Sequence, residues 1–91
     1  SKLRCLYLQN NLIERISGLE GLTSLVTLDL SHNRLFKLEN LSVLPNLETL
    51  NVSRNYLSTV ESLQHLVECP KLATADIGNN NIEDAAVIEE V

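Results

Sequence analysis

The sequence repeats itself every twenty-two residues, and this periodicity restricts the possible folds more than any other feature. Eight positions recur in three successive units; seven are aliphatic, and the fourth in order is always Asn. These positions are Leu3, Leu6, Leu8, Asn11, Ile13, Ile16, Leu19 and Leu22; Leu25, Leu28, Leu30, Asn33, Leu35, Leu38, Leu41 and Leu44; and Leu47, Leu50, Val52, Asn55, Leu57, Val60, Leu63 and Leu66. A unit this short cannot bury its own apolar face, so we expect the units to stack and share one core.

The spacing of the apolar residues within each unit predicts its local structure. The L-x-x-L-x-L half ends in an alternation of apolar and polar residues, which is the period of a half-buried strand. The Asn that follows suits a sharp turn, because its amide can satisfy backbone groups that the turn leaves without partners. The later apolar residues fall at every third position, close to the turn of a 3₁₀ helix. We therefore predict an α/β solenoid with a curved parallel β-sheet on its concave side and 3₁₀ or short α-helical segments on its convex side.

A fourth unit begins three residues late, and we place the extra residues around 67–71. Its recurring positions are Leu72, Ala75, Ile77, Asn80 and Ile82. The distribution of Ala, Val and Ile over residues 83–90 predicts an α-helix there, with acidic residues in its first turn. The predicted organisation is a single domain over residues 1–91, with repeats at 3–24, 25–46 and 47–71 and a partial repeat at 72–91.

Neither end of this array resembles a capping repeat, so we expect the chain to be an uncapped fragment of a longer array. Apolar side chains at the open ends of a stack favour association. The side chains concerned are Leu6, Leu8 and Ile13 at one end and Ile77 and Ile82 at the other. Self-association through these ends is therefore expected.

Charge and cysteine content exclude several classes of function. The net charge is −5, and no cluster of Lys or Arg occurs, which argues against binding nucleic acid or an anionic membrane. No apolar run approaches the length of a membrane span. Cys5 and Cys69 form no recognisable framework, which favours a reduced chain in the cytoplasm over a disulfide-bonded one.

Residues that alternate with the leucines are expected to face outward on the concave sheet, and they are the candidate partner-binding residues. They are Tyr7, Gln9, Asp29, His32, Asn51, Arg54 and Asp76. The recurring Asn residues are expected to form a structural ladder instead. They are Asn11, Asn33, Asn55 and Asn80.

Residue types that serve in catalytic sites are present, but the predicted geometry does not favour such a site. They are Asp29, Ser31, His32 and Asp76. Ser31 and His32 are adjacent at the end of one strand and should point in different directions, and an open sheet offers no water-excluding pocket. His32 and His65 are expected on different faces, and neither cysteine completes a metal-ligand spacing. We therefore predict no catalytic residues, no metal and no cofactor.

The repeat L-x-x-L-x-L-x-x-N-x-I/L-x-x-I/L-x-x-L-x-x-L resembles the twenty-two-residue subclass of leucine-rich repeats, over essentially the whole chain. Within it, residues 3–9, 39–45 and especially 59–69, which end in Q-H-L-V-E-C, resemble the dynein axonemal assembly factors. This resemblance implies a non-enzymatic factor that acts in the cytoplasm to assemble dynein arms for cilia or flagella. Its partners would be axonemal dynein chains, other assembly factors or chaperones. Ala75 and Gly78 depart from the repeat pattern, so we expect the fourth unit to differ in shape from the first three.

Two other functions fit the same architecture. A leucine-rich repeat subunit that directs a protein phosphatase is the main alternative, because its partner would also be a protein. An extracellular adhesion or receptor domain should carry cysteine-rich caps and glycosylation sites. The acceptor pattern at Asn51 lies on a predicted concave strand, which is a poor place for a glycan.

Overall fold

Four short strands form a single parallel sheet in the computed structural model, which describes residues 2–58 and 64–80. The strands are β1 (Cys5–Tyr7), β2 (Thr27–Asp29), β3 (Thr49–Asn51) and β4 (Thr74–Asp76), and they lie side by side in chain order. A 3₁₀ helix (His65–Glu68) lies between β3 and β4. The parallel solenoid predicted from the repeat is therefore confirmed.

The register of the sheet places equivalent positions of successive repeats next to one another. Leu6 pairs with Leu28, Leu28 with Leu50, and Leu50 with Ala75. The last pairing has a sequence offset of twenty-five residues, so the sheet absorbs the longer third unit without losing register. Ala75 thus occupies a leucine position, and the small side chain is exposed there.

The core lies between the sheet and the segments that run back behind it, and most of its buried side chains are leucines of the second and third repeats. The fully buried side chains are Leu25, Leu28, Leu35, Leu41, Leu44, Leu47, Leu50, Val52 and Leu57. Each buried leucine stabilises the stack by about 1.5–3 kcal/mol relative to an exposed one. Leu6, Leu8, Ile13 and Ile77, at the two ends of the described stack, are only half-buried.

Hydrogen bonds in the convex segments, which lead from one strand to the next, locate the three extra residues of the third unit. In the first repeat, the Leu22 N–H donates to the Leu19 carbonyl, and the Leu25 N–H donates to the Leu22 carbonyl. The second repeat uses Leu41, Leu44 and Leu47 in the same way, and the third uses Leu66, Cys69 and Leu72.

Cys69 is therefore the structural equivalent of Leu44, and it is buried at 6% exposure. Placing the extra residues around 67–71 was wrong: they precede Leu66, and the segment Cys-Pro-Lys-Leu repeats the earlier Leu-Pro-Asn-Leu. Burial, together with the nearby charge of Glu68, raises the pKa of the Cys69 thiol. Both cysteines are free.

Part of the sequence interpretation falls outside the described residues. This holds for the predicted α-helix over 83–90, for Ile82 at the expected apolar end, and for Val60 and Leu63 in the third unit. Within the described residues, no helix is both long and apolar enough to cross a membrane.

Candidate protein-binding surface

The recurring Asn side chains close each turn and connect it to the repeat before it. The Asn33 amide nitrogen lies 2.9 Å from the Leu30 carbonyl of its own repeat and 3.0 Å from the Leu8 carbonyl of the preceding one. Its side-chain oxygen accepts the Ile13 N–H at 3.1 Å. Asn55 and Asn80 repeat this pattern, whereas Asn11 bonds only to carbonyls of its own repeat.

The residue before each Asn adopts a left-handed backbone conformation. These residues are Asn10, His32, Arg54 and Asn79, with φ between 55° and 61°. Asn accepts this conformation more readily than most residues, while a bulky side chain does so at a cost. His is also enriched in this conformation, so Arg54 is the residue that this backbone position does not favour. The side chains of His32 and Arg54 are both exposed at the ends of their strands.

Three predicted partner-binding residues, Asp29, Asn51 and Asp76, have a structural task that the sequence analysis did not assign to them. Each side-chain Oδ1 accepts the N–H of the residue two positions later, at 2.9–3.0 Å. These side chains fix the strand ends in the same way that Asx turns do.

Tyr7 and Gln9 lie at the outer edge of the concave face, on and just after β1, and both are exposed. Tyr7 keeps 60% of its accessible surface. Negative charge on the neighbouring Cys5 sulfur and a hydrogen bond with it raise the pKa of the Tyr7 phenol, with smaller effects from burial and from Asp29. The phenol is therefore a neutral hydrogen-bonding group at physiological pH.

The residues considered for catalysis are not arranged around a common point. Ser31 is buried, and its hydroxyl donates to Asp29 Oδ1 at 2.7 Å, whereas His32 is exposed. An open depression of about 410 Å³ lies at the other end of the strands, lined by Lys2, Arg4, Ser24, Val26, Asn46 and Glu48. It contains none of the residues considered for catalysis.

His65 is separated from His32 and belongs to the convex side. Its Nε2 accepts the Leu41 N–H at 3.0 Å, and its Nδ1 lies 2.9 Å from Glu68 Oε2. The two contacts together select the neutral tautomer with the proton on Nδ1. His65 thus links the third repeat to the second. Over residues 2–58 and 64–80, no three His, Cys, Asp or Glu side chains are grouped as metal ligands would be.

A second exposed surface, which the sequence analysis missed, lies beyond the Asn ladder. We call it the flank surface; it consists of the outward residues of the segments that follow each turn, namely Leu12, Glu14, Arg34, Phe36, Tyr56 and Ser58. The available signal was that Phe36 and Tyr56 are the only aromatic residues besides Tyr7, and neither occupies a repeat position.

Comparisons with known proteins agree with this architecture. Two family models for leucine-rich repeats match the sequence, one covering two copies over residues 1–44 and the other a single copy over residues 46–66. A search of curated proteins gives no significant match. Among solved structures, a chain of the Drosophila melanogaster SNF/U2A′ complex superposes with a TM-score of 0.88 at 25% sequence identity. The match covers 98% of this chain and 53% of that chain, so this chain spans about half the length of the protein it resembles.

The fold and the sequence models lead to the same assignment. Leucine-rich repeats are generally protein-interaction scaffolds rather than enzymes, and the concave strand ends and the flank surface give this stack two exposed faces for such a role. The two models together match most of the chain, and the protein belongs to the leucine-rich repeat family.

Proposed function

We propose that this chain binds a protein partner on its concave face. The observation that carries the proposal is that structural and exposed side chains occupy different positions of the repeat. Leucine and Asn form the core and the turns, whereas exposed side chains lie at the strand ends, namely Tyr7, Gln9, His32 and Arg54. Tyr and Arg are the residue types on which protein interfaces most often depend. A row of such residues on a rigid sheet is suited to recognition.

We further propose that the partner belongs to the assembly of axonemal dynein arms in the cytoplasm, for delivery to cilia or flagella. Support comes from the sequence of the long third unit, residues 59–69, and its resemblance to the dynein axonemal assembly factors. Within this unit His65 bonds to the second repeat and Cys69 enters the core, so these two residues of the resembling segment have structural roles. Dynein chains, assembly factors and chaperones are the partners expected of such a protein.

Affinity purification of the full protein from ciliated cells, with quantitative mass spectrometry, tests both parts of this proposal. The double variant Tyr7→Ala, Gln9→Ala removes two exposed concave side chains without removing a core contact. We expect it to lower the recovery of axonemal dynein chains and their assembly factors at least tenfold. Val67→Ala is the matched control, because Val67 is 85% exposed on the convex 3₁₀ helix.

Each part of the proposal has its own contradicting result. Undiminished recovery of dynein chains by the double variant would contradict the concave face as the binding surface. Recovery of a phosphatase catalytic subunit in place of dynein chains would contradict the assembly role and favour a phosphatase-directing subunit. Circular dichroism of each variant checks that the stack remains folded.

A further inference from the structure

All three aromatic residues of this chain are on its surface. The sequence has two Tyr and one Phe, and the exposed fractions are 60% for Tyr7, 47% for Phe36 and 54% for Tyr56. Aromatic side chains bury a large apolar area when they enter a core. Here leucine fills the core instead, and Phe36 and Tyr56 join Leu12, which is 68% exposed, on the flank surface.

Backbone hydrogen bonds show that the flank surface is continuous across three repeats. The Arg34 N–H donates to the Ile13 carbonyl at 2.8 Å, and the Tyr56 N–H donates to the Leu35 carbonyl at 2.8 Å. The segments around these residues therefore run side by side, in the same register as the sheet. Leu35 is fully buried between Arg34 and Phe36, so these two side chains share the outward face.

Two arginines lie on or beside the flank surface of a chain whose net charge is −5: Arg34 is on it, and Arg54 is at its border with the concave face. Within residues 2–58 and 64–80, Arg34 and Arg54 form no ion pair, whereas Arg15 and Lys37 both lie within 4 Å of Glu39. Glu14 is the acidic residue of the flank surface. Two arginines available for pairing next to exposed apolar side chains complement a ligand that is both acidic and apolar.

The backbone at Arg54 adds a second observation. Arg54 holds the left-handed conformation that Asn10 and Asn79 hold at the equivalent positions. Asn and His adopt this conformation more readily than Arg does, so the turn itself does not require Arg54. The guanidinium at this position lies beside the flank surface and is exposed to a partner.

We propose that the flank surface binds an acidic amphipathic α-helix of a partner protein, whose apolar residues contact Leu12, Phe36 and Tyr56 and whose carboxylates pair with Arg34 and Arg54. Leu12, Arg34 and Tyr56 follow one another at the spacing of neighbouring strands, about 4.8 Å. This spacing is close to the pitch of an α-helix, about 5.4 Å per turn. A helix that lies along the stack therefore presents one turn to each repeat. This site meets the concave face at Arg54 and otherwise uses different residues, and it does not depend on the function proposed above.

Fluorescence anisotropy with designed peptides tests the proposal. The probe is a labelled eighteen-residue helix with Leu at i, i+3, i+4 and i+7 spacing and Glu on its remaining positions. We expect the peptide to bind, and its affinity to fall as the NaCl concentration is raised. The Phe36→Ser and Arg34→Glu variants should each bind the peptide at least tenfold more weakly. Val67→Ser, on the convex side, is the matched control. Replacing Glu by Lys in the peptide, or scrambling its sequence, should abolish binding.

Two further measurements keep the proposal open to refutation if a variant is unstable. In heteronuclear NMR spectra of the unmodified chain, the peptide should shift the amides of residues 34–36 and 54–56 and leave those of residues 5–7 in place. Arg54→Asn should raise the melting temperature of the chain and lower its affinity for the peptide. A purely structural role for Arg54 does not produce this combination.

The proposal is overturned if the Lys peptide or the scrambled peptide binds as tightly as the Glu peptide. It is also overturned if Tyr7→Ala lowers the affinity for the Glu peptide as much as Phe36→Ser does. It is also overturned if light scattering shows a dimer that Phe36→Ser dissociates, since the occupant would then be a second copy of this chain. The concave variants of the purification experiment do not touch the flank surface, so the two proposals fail separately.

Discussion

Asn11 and Asn33 occupy the same position in successive repeats, yet their surroundings differ. Asn33 is 5% exposed and bonds to groups of two repeats, whereas Asn11 is exposed and bonds within its own turn. A buried polar group is costly when it loses its partners, while a solvated one replaces them with water. The same residue type therefore contributes differently to stability at each level of the stack.

Asn33→Ala should destabilise the fold by about 1–3 kcal/mol, because it leaves the Ile13 N–H and the carbonyls of Leu8 and Leu30 without their partner. Asn11→Ala is the matched control and should cost less than half as much. Urea unfolding monitored by circular dichroism measures both. Equal midpoints for the two variants would refute the interpretation of the Asn ladder as a bond between repeats.

The role of Asp29, Asn51 and Asp76 shows where sequence reasoning stops at this scale. Their alternation with leucine places them correctly on the outward face of the strands. The pattern does not show that one oxygen of each side chain bonds to the backbone two residues later, because Asp and Asn also serve as ordinary surface residues. A concave contact at these residues would have to use the polar atoms that remain.

At the scale of the element, the three-residue period of the convex segments explains why the three extra residues of the third unit were placed wrongly. Val60, Leu63, Leu66 and Cys69 are spaced by three residues, as are Leu38, Leu41 and Leu44. An insertion of three residues therefore leaves the apolar pattern unchanged. The hydrogen bonds of Leu66, Cys69 and Leu72, together with the repeated Leu/Cys-Pro-x-Leu segment, distinguish the two alignments.

The contact between His65 and Leu41 should be the anchor of this helix on the stack. His65→Ala removes the acceptor of a buried N–H and should destabilise the fold by about 1–3 kcal/mol. Glu68→Ala should change stability by less than about 1 kcal/mol, because the Glu68 side chain is 60% exposed. Amide hydrogen exchange at Leu41 is the direct measurement. Unchanged protection of this amide in His65→Ala would contradict the assignment.

For the whole molecule, the sheet order and register followed directly from the period of the sequence. Each unit could contact only its neighbours, and eight positions in common left little freedom for the register. The flank surface could not be predicted in this way. Its residues fall between the recurring positions, and the pattern alone does not distinguish an exposed Phe36 from a partly buried one.

Burial in a stack depends on the number of neighbouring repeats, and Leu8 and Leu30 compare its effects at one position. Leu30 is 3% exposed in the second repeat, and Leu8 is half-buried in the first. Leu30→Ala should destabilise the fold by about 2–5 kcal/mol and Leu8→Ala by clearly less, since more contacts are lost in the densely packed site. Thermal and urea unfolding give both values. A larger loss at Leu8 would show that the first repeat, rather than the second, holds the stack together.

The Asn ladder also gives the stack a direction. Asn33 completes the turn of the first repeat, Asn55 that of the second and Asn80 that of the third, always from the C-terminal side. A ribosome releases the chain from its N-terminus, so the groups of each turn leave the ribosome before the side chain that satisfies them. The Leu35 N–H, for example, donates to Asn55, which is synthesised twenty residues later. We therefore expect each repeat to be completed during synthesis only after the next one has emerged, so that folding follows one repeat behind the growing end of the chain.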